Sequence, residues 1–205
     1  MGHKKNNIKK EILSEAVRLF AKIGYNGTSM RSIARAVGVS AAALYNHFPS
    51  KENLYQQALK QAFTDKGNNL LKDLSNGNSA QQRLTSLIGG LCSMMAKDAD
   101  FTTLVSREMA ENNDKRLRVM SEQVFSDIYG QICKLSEELF PELDPHLAAC
   151  SIVGLVFFPM ESRKLRRHLP GWNEENDDPS RITAHASSLL FNRIYDCGSV
   201  KPSLS

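Results

Sequence analysis

The sequence is poor in what would build strands, cross-links or a membrane anchor. Twelve glycines and seven prolines in 205 residues are few and scattered, so most of the chain has no strong reason to be loop. The four cysteines, Cys92, Cys133, Cys150 and Cys197, form no CxxC pair and match no zinc spacing. In a reducing compartment they act as small hydrophobic side chains. The longest apolar stretch, Ile152 to Met160, contains Gly154 and Pro159. It is far short of the ~20 residues a spanning helix needs, so no membrane partner is expected. The N-terminal segment is basic, but no apolar secretory core follows it, which leaves a cytoplasmic protein as the plain expectation. Enzyme signatures are missing too. No Gly-rich phosphate loop, HExxH, GxSxG or paired-carboxylate pattern is present. Catalytic residues, metal ligands and cofactors are therefore expected to be none.

What is present is helix and an uneven charge. Hydrophobic residues make up 41% of the chain and charged residues 23%, enough for a core under a solvated surface. Residues 1–66 carry eleven Lys and Arg against four Asp and Glu, a balance of +7. The remainder holds fifteen against eighteen, or −3, which together give the net +4. Positive charge gathered at one end points to a polyanion there, or to a solvated basic face. Lys4, Lys5, Lys9 and Lys10 open that end.

Apolar residues at Ile8, Ile12, Ala16, Leu19, Phe20 and Ile23 recur every three to four positions, predicting a helix from about 7 to 23 that Gly24 ends. Thr28 or Ser29 caps a short second helix, with Ile33, Ala34 and Val37 facing inward. Gly38 breaks it by supplying the positive φ of a tight turn. Ser40 caps a third helix that runs to about Phe48, and Pro49 stops it. Two short helices around Ala36-Val37-Gly38-Val39-Ser40 make a helix-turn-helix. Further helices are predicted over about 51–75, 79–97, a stretch after Asp100, 114–139, and from the two Asp-Pro starts at Asp144-Pro145 and Asp178-Pro179. The segment 170–178 reads as a polar loop.

Residues 24–54, GYNGTSMRSIARAVGVSAAALYNHFPSKENL, closely resemble the DNA-binding signature of TetR-type regulators. About fifteen positions agree without a gap, and with the first helix the likeness covers about 47 residues. One departure falls on the reading surface. Many members have Gly at the second residue after the turn Ser, where this chain has Ala42. Ala41, Ala42 and Ala43 offer methyl groups and no hydrogen bonds, which favours thymine-methyl contact or reading by shape.

The resemblance implies an all-α fold. A three-helix N-terminal helix-turn-helix DNA-binding domain (1–50, recognition helix about 40–48) continues into a six-helix C-terminal ligand-binding and dimerisation domain (51–198), followed by a flexible tail (199–205). It implies double-stranded operator DNA as partner, with the third helix in the major groove. Ser40, Ala41, Ala42, Ala43 and Asn46 lie on that helix. Tyr45, His47 and Lys51 would touch phosphates, Thr28 and Ser29 the other flank, and Arg31 a guanine or a phosphate. Tyr45 could equally be a core aromatic and His47 a structural residue.

Two stripes would pair with a second copy: Leu147, Ile152, Val153 and Val156 on one helix, and Ile182, Ala186, Leu189, Leu190 and Ile194 on the other. Packing within one subunit is the competing reading. A pocket for a small hydrophobic or amphipathic effector is expected among Met94, Met95, Phe101, Met109, Phe125, Tyr129, Phe157 and Phe158, with Met160 nearby, and most of these could be plain core. Arg107 and Glu108 could orient a polar ligand group or pair at the surface. A DNA-binding regulator without a small-molecule ligand is the alternative to an effector-released repressor.

Overall fold

Short polar caps start most of the helices, and a glycine, asparagine or proline stops several. A computed structural model describes residues 2–75 and 79–191, and no strand occurs among the described residues. Helix α1 spans Gly2–Gly27 but breaks at Gly24, where φ is 76°. The Thr28 hydroxyl donates to the Gly24 carbonyl at 2.8 Å and closes the freed end. Helix α2 (Met30–Val37) starts on a reciprocal cap between Ser29 and Ser32 and ends at Gly38, left-handed with φ 76°. Helix α3 (Ala41–His47) is capped by the Ser40 hydroxyl, which accepts from Ala43 N at 3.1 Å. Helix α4 (Lys51–Ser75) follows after Phe48, Pro49 and Ser50, so the head joins the body without a flexible linker.

The body contains α5 (Ala80–Lys97), α6 (Ala99–Glu111), α7 (Asp114–Met120), a π-helical turn (Ser121–Phe125) running into α8 (Ser126–Leu139), α9 (Pro145–Glu161), the short α10 (Arg163–Arg166) and α11 (Pro179–Phe191). Asp144 caps α9 with Pro145 in the first turn, as its sequence predicts. Residues 114–139, expected as one helix, form one rod with a π-helical turn inside it, a feature that recurs at functional sites. Asn76-Gly77-Asn78, Ile194 and Cys197 lie outside the described residues.

Two hydrophobic cores form. One joins the head to the body: Ile12, Phe20, Ile33, Leu44, Phe48, Leu54 and Tyr55 share it with Phe101, Leu104 and Val105 of α6 and Met120 of α7. The other holds α5, α8, α9 and α11 together around Leu84, Leu87, Ile88, Ile132, Ile152 and Ile182. Phe63, Met94, Phe125 and Phe157 are half-buried and pack against both. No helix among the described residues is long and apolar enough to cross a membrane.

Candidate DNA-reading surface and effector cavity

The head presents α3 as an exposed edge on a packed base. Leu44 and Phe48 are fully buried and anchor that helix. Ala42, Tyr45 and Asn46 are exposed, Tyr45 by 51%, while Ala41, Ala43 and His47 are half-buried. Arg31 and Arg35 are exposed on α2, and Ser29 is exposed at its cap. The small residues of α3 keep its outer face low, so a groove could approach the backbone closely.

Two of the residues expected at phosphates face inward instead. Thr28 is 2% exposed, and its hydroxyl is held by Gly24. Lys51 donates from Nζ to the carbonyls of Tyr25 (2.8 Å) and Thr28 (3.0 Å), with the ammonium 4.2 Å from the centre of the Tyr25 ring. Burial first, then the positive charge of Arg116, pulls its pKa below the ordinary lysine value. These side chains clamp the turn between α1 and α2 and do not offer a free cation or hydroxyl to a backbone.

Behind that turn lies a charged junction between head and body. Glu108 of α6 is fully buried and accepts from Arg116 Nε at 2.6 Å. Arg116 also donates to Glu111 at 2.5 Å and covers the Tyr25 ring at 4.8 Å. Tyr25 is thus held between two cations, one from α4 and one from α7. The Tyr55 phenol lies beside Glu108, and burial first, then Glu108, drives its pKa far up. Arg107 donates to the carbonyls of Ala21 (3.2 Å) and Lys22 (3.3 Å) at the end of α1. Arg107 and Glu108 therefore serve the junction: neither lines the large cavity where a ligand group was expected, nor do they pair with each other at the surface, since Glu108 is buried against Arg116 and Arg107 is held by α1.

A cavity of about 770 Å³ opens between the two cores. Met94, Met95, Phe101, Met109, Phe125, Tyr129 and Phe157 line it, seven of the eight residues expected there. Phe158 does not; it is 64% exposed, one residue and therefore about 100° around α9 from Phe157. Met160 is buried in the second core. The sequence reading missed Phe63, Leu91, Thr102, Val105, Met120, Ser121, Glu122 and Ser126, as well as Ile128, Ile132, His146, Cys150, Val153, Gly154 and Val156. The buried lining is apolar apart from Thr102, whose hydroxyl donates to the Asp98 carbonyl at 3.1 Å, and the exposed lining at the mouth includes Met109, Ser121, Glu122, Ser126, His146 and Cys150. The Tyr129 hydroxyl donates to the His146 carbonyl at 3.0 Å and fixes one lip. Among the described residues no group of three or more His, Cys, Asp or Glu could hold a metal ion.

The expected dimer stripes divide. Ile152, Val156, Ile182 and Ala186 are at most 6% exposed within the single chain, so they fill its own core and cannot offer area to a second copy. Leu147 (65%) and Leu189 (45%) are exposed, and Val153 and Leu190 are half-buried. With Ser151 and Phe158, Leu147 makes an outward stripe on α9, whose opposite side is buried.

Residues 12–58 match the model described as bacterial regulatory proteins of the tetR family. Residues 80–192 match the C-terminal domain of the HTH-type transcriptional dual regulator CecR. A curated relative from Staphylococcus aureus (strain Newman), the negative transcriptional regulator IcaR of the biofilm operon icaADBC, is 31% identical over 136 residues, covering 66% of this chain and 67% of its own. Two solved structures share the fold. The regulator FadR of Bacillus subtilis, in complex with stearoyl-CoA, has a TM-score of 0.75 at 19% identity over 91% of this chain and 99% of that one. The fatty acid degradation regulator FadR of Bacillus halodurans has a TM-score of 0.71 at 19% identity over 89% and 93%. These relatives are transcriptional regulators and not enzymes. With two domain models in tandem and a relative above 30% identity, the chain belongs to the TetR family of bacterial transcriptional regulators.

Proposed function

We propose that the protein is a repressor that binds a near-palindromic operator as a homodimer and leaves it when a small apolar or amphipathic molecule fills the cavity. It acts in the cytoplasm. Helix α3 enters the major groove, with Ser40, Ala41, Ala42, Ala43 and Asn46 toward base edges. Tyr45, His47 and Ser29 contact phosphates, and Arg31 a phosphate or a guanine. The stripe of Leu147, Ser151 and Phe158 on α9, with Leu189 of α11, meets its symmetry mate, because exposed apolar area on a well-packed helix marks a contact surface. Repression follows the relative IcaR, a negative regulator.

The observation that carries the proposal is the position of the cavity. Its wall includes Phe63, Met94, Phe125 and Phe157, the four residues that touch both cores, and α6 runs from that wall to Glu108 at the head. A ligand that wedges those residues apart favours one spacing of the two heads over another, which is the differential affinity release requires. The test is titration of apolar candidates into a complex of the protein with a fluorescent operator. Loss of anisotropy at saturating ligand is the expected result. A complex that no cavity ligand disturbs would instead support a regulator without effector.

A further inference from the structure

Helix α9 divides its circumference between the cavity and the surface. His146, Cys150, Val153 and Phe157 line the cavity. Leu147, Ser151 and Phe158 each follow one of these residues, so they project about 100° further round the same helix. All three are exposed. Gly154 lies between the two sectors: it lines the cavity and is exposed. The remaining side, with Ala149, Ile152, Val156 and Met160, is buried in the second core. The rim that α9 gives to the mouth, His146 and Cys150, therefore runs directly beside its outward stripe.

That stripe is spaced to meet itself. Leu147, Ser151, Gly154 and Phe158 read large, small, small, large at intervals of four, three and four residues. The order is the same from either end. Two copies crossing at Ser151 and Gly154 in antiparallel directions would set Leu147 of each against Phe158 of the other, as an isologous contact requires. Gly154 fits such a crossing. A glycine inside a helix destabilises it, and a Cβ there would meet no heavy atom within 4 Å. Packing within one chain thus gives no use for the missing side chain, whereas a second helix lying close does.

We propose that a second copy of the chain closes the cavity: its α9 lies across the rim formed by His146, Cys150 and Gly154, so the effector site is complete only in the dimer. This rests on the homodimer reading above and adds that the partner is part of the site. An apolar molecule gains most when its outer surface is covered as well as its inner one, and the second copy supplies that cover. A molecule held there is coupled to the interface, and by linkage it strengthens the pairing that strengthens its own binding.

The Cys150 thiol reports the cover. The full-length protein is reacted with a maleimide carrying a polyethylene glycol chain over a range of protein concentrations. Sedimentation velocity follows the monomer–dimer balance, and peptide mass mapping reads the labelling of Cys150. Where about nine chains in ten are paired, labelling should be about tenfold slower than in the monomer, because only the free tenth reacts. Phe158→Glu, an exposed substitution about two turns from Cys150, supplies the monomer where dilution does not reach it, and circular dichroism checks its helix content. The readout needs no ligand, so it stands apart from the existence of an effector. Equal labelling in dimer and monomer overturns the closure and leaves the homodimer standing. Equal protection in the monomer places the cover within the chain and also overturns it. A Phe158→Glu chain that pairs as before puts the interface elsewhere, with the same consequence. A chain that is monomeric at every concentration overturns the homodimer reading, and the closure with it.

Discussion

The Arg116 guanidinium lies 4.8 Å from the centre of the Tyr25 ring, and the same side chain neutralises the buried Glu108. One residue of α7 thus touches the turn that carries the DNA-binding head and holds the charge on α6. Removal of one partner from a buried pair leaves an uncompensated charge, which costs about 3–5 kcal/mol. Arg116→Ala should lower the unfolding free energy by that amount in urea. Arg116→Met combined with Glu108→Gln should recover a large part of it. If the single and double variants are equally unstable, the pair does not hold the junction.

Lys51 separates the resemblance from the geometry. A lysine at a phosphate contributes about one unit to the slope of log affinity against log salt. The ammonium observed here donates to two backbone carbonyls instead. Lys51→Met is expected to destabilise the protein by about 1–2 kcal/mol, the cost of losing two charge-assisted bonds to part-buried carbonyls, of which that of Tyr25 keeps the Thr28 N–H, and to leave the salt slope of operator binding unchanged. A slope reduced by one unit would restore the phosphate role.

Tyr55 gives the junction an alkaline limit. Its folded pKa is raised above the ordinary 10.0 by burial first and then by Glu108. Below pH 10 the phenol is neutral in both states and its contribution is fully present. Above it the unfolded chain releases the proton while the folded chain keeps it, so stability falls as pH rises toward the folded pKa. The decline should be about 1.4 kcal/mol per pH unit for this group. Denaturation midpoints measured from pH 9 to 11 should show Tyr55→Phe losing less stability than the unmodified protein over that range.

On the reading surface, Tyr45→Ala should weaken binding to every DNA sequence by a similar factor, because a phosphate contact carries no sequence information. Arg31→Ala should either relax one position in each half-site, by about 1–3 kcal/mol of discrimination, or flatten the salt dependence. A competition assay on a library of half-site variants distinguishes these patterns. If Arg31→Ala changes neither quantity, Arg31 is not at the interface.

The head was legible because its signals are local. Gly24 and Gly38 adopt the positive φ that their helix-ending positions demand, and Ser40 caps α3 at the spacing its hydroxyl requires. The cavity was partly legible for a different reason: methionine and aromatic residues concentrate on the inward faces of α5 to α9. Helix α9 hid its orientation. Apolar residues occupy nearly its whole circumference, so periodicity could not separate Phe157 from Phe158, nor show that Ile152 and Val156 turn inward. The junction left no local pattern, since Tyr25, Lys51, Tyr55, Glu108 and Arg116 meet only after folding.

A two-fold symmetric protein that reads DNA through α3 selects a two-fold symmetric site, and selection of bound fragments from random genomic DNA measures this. The expected result is one enriched near-palindromic motif with half-sites about one helical turn (~34 Å) or a multiple apart, recovered in complexes whose mass fits two or four chains. Enrichment of no sequence, or of a lone half-site bound by a single chain, would contradict it.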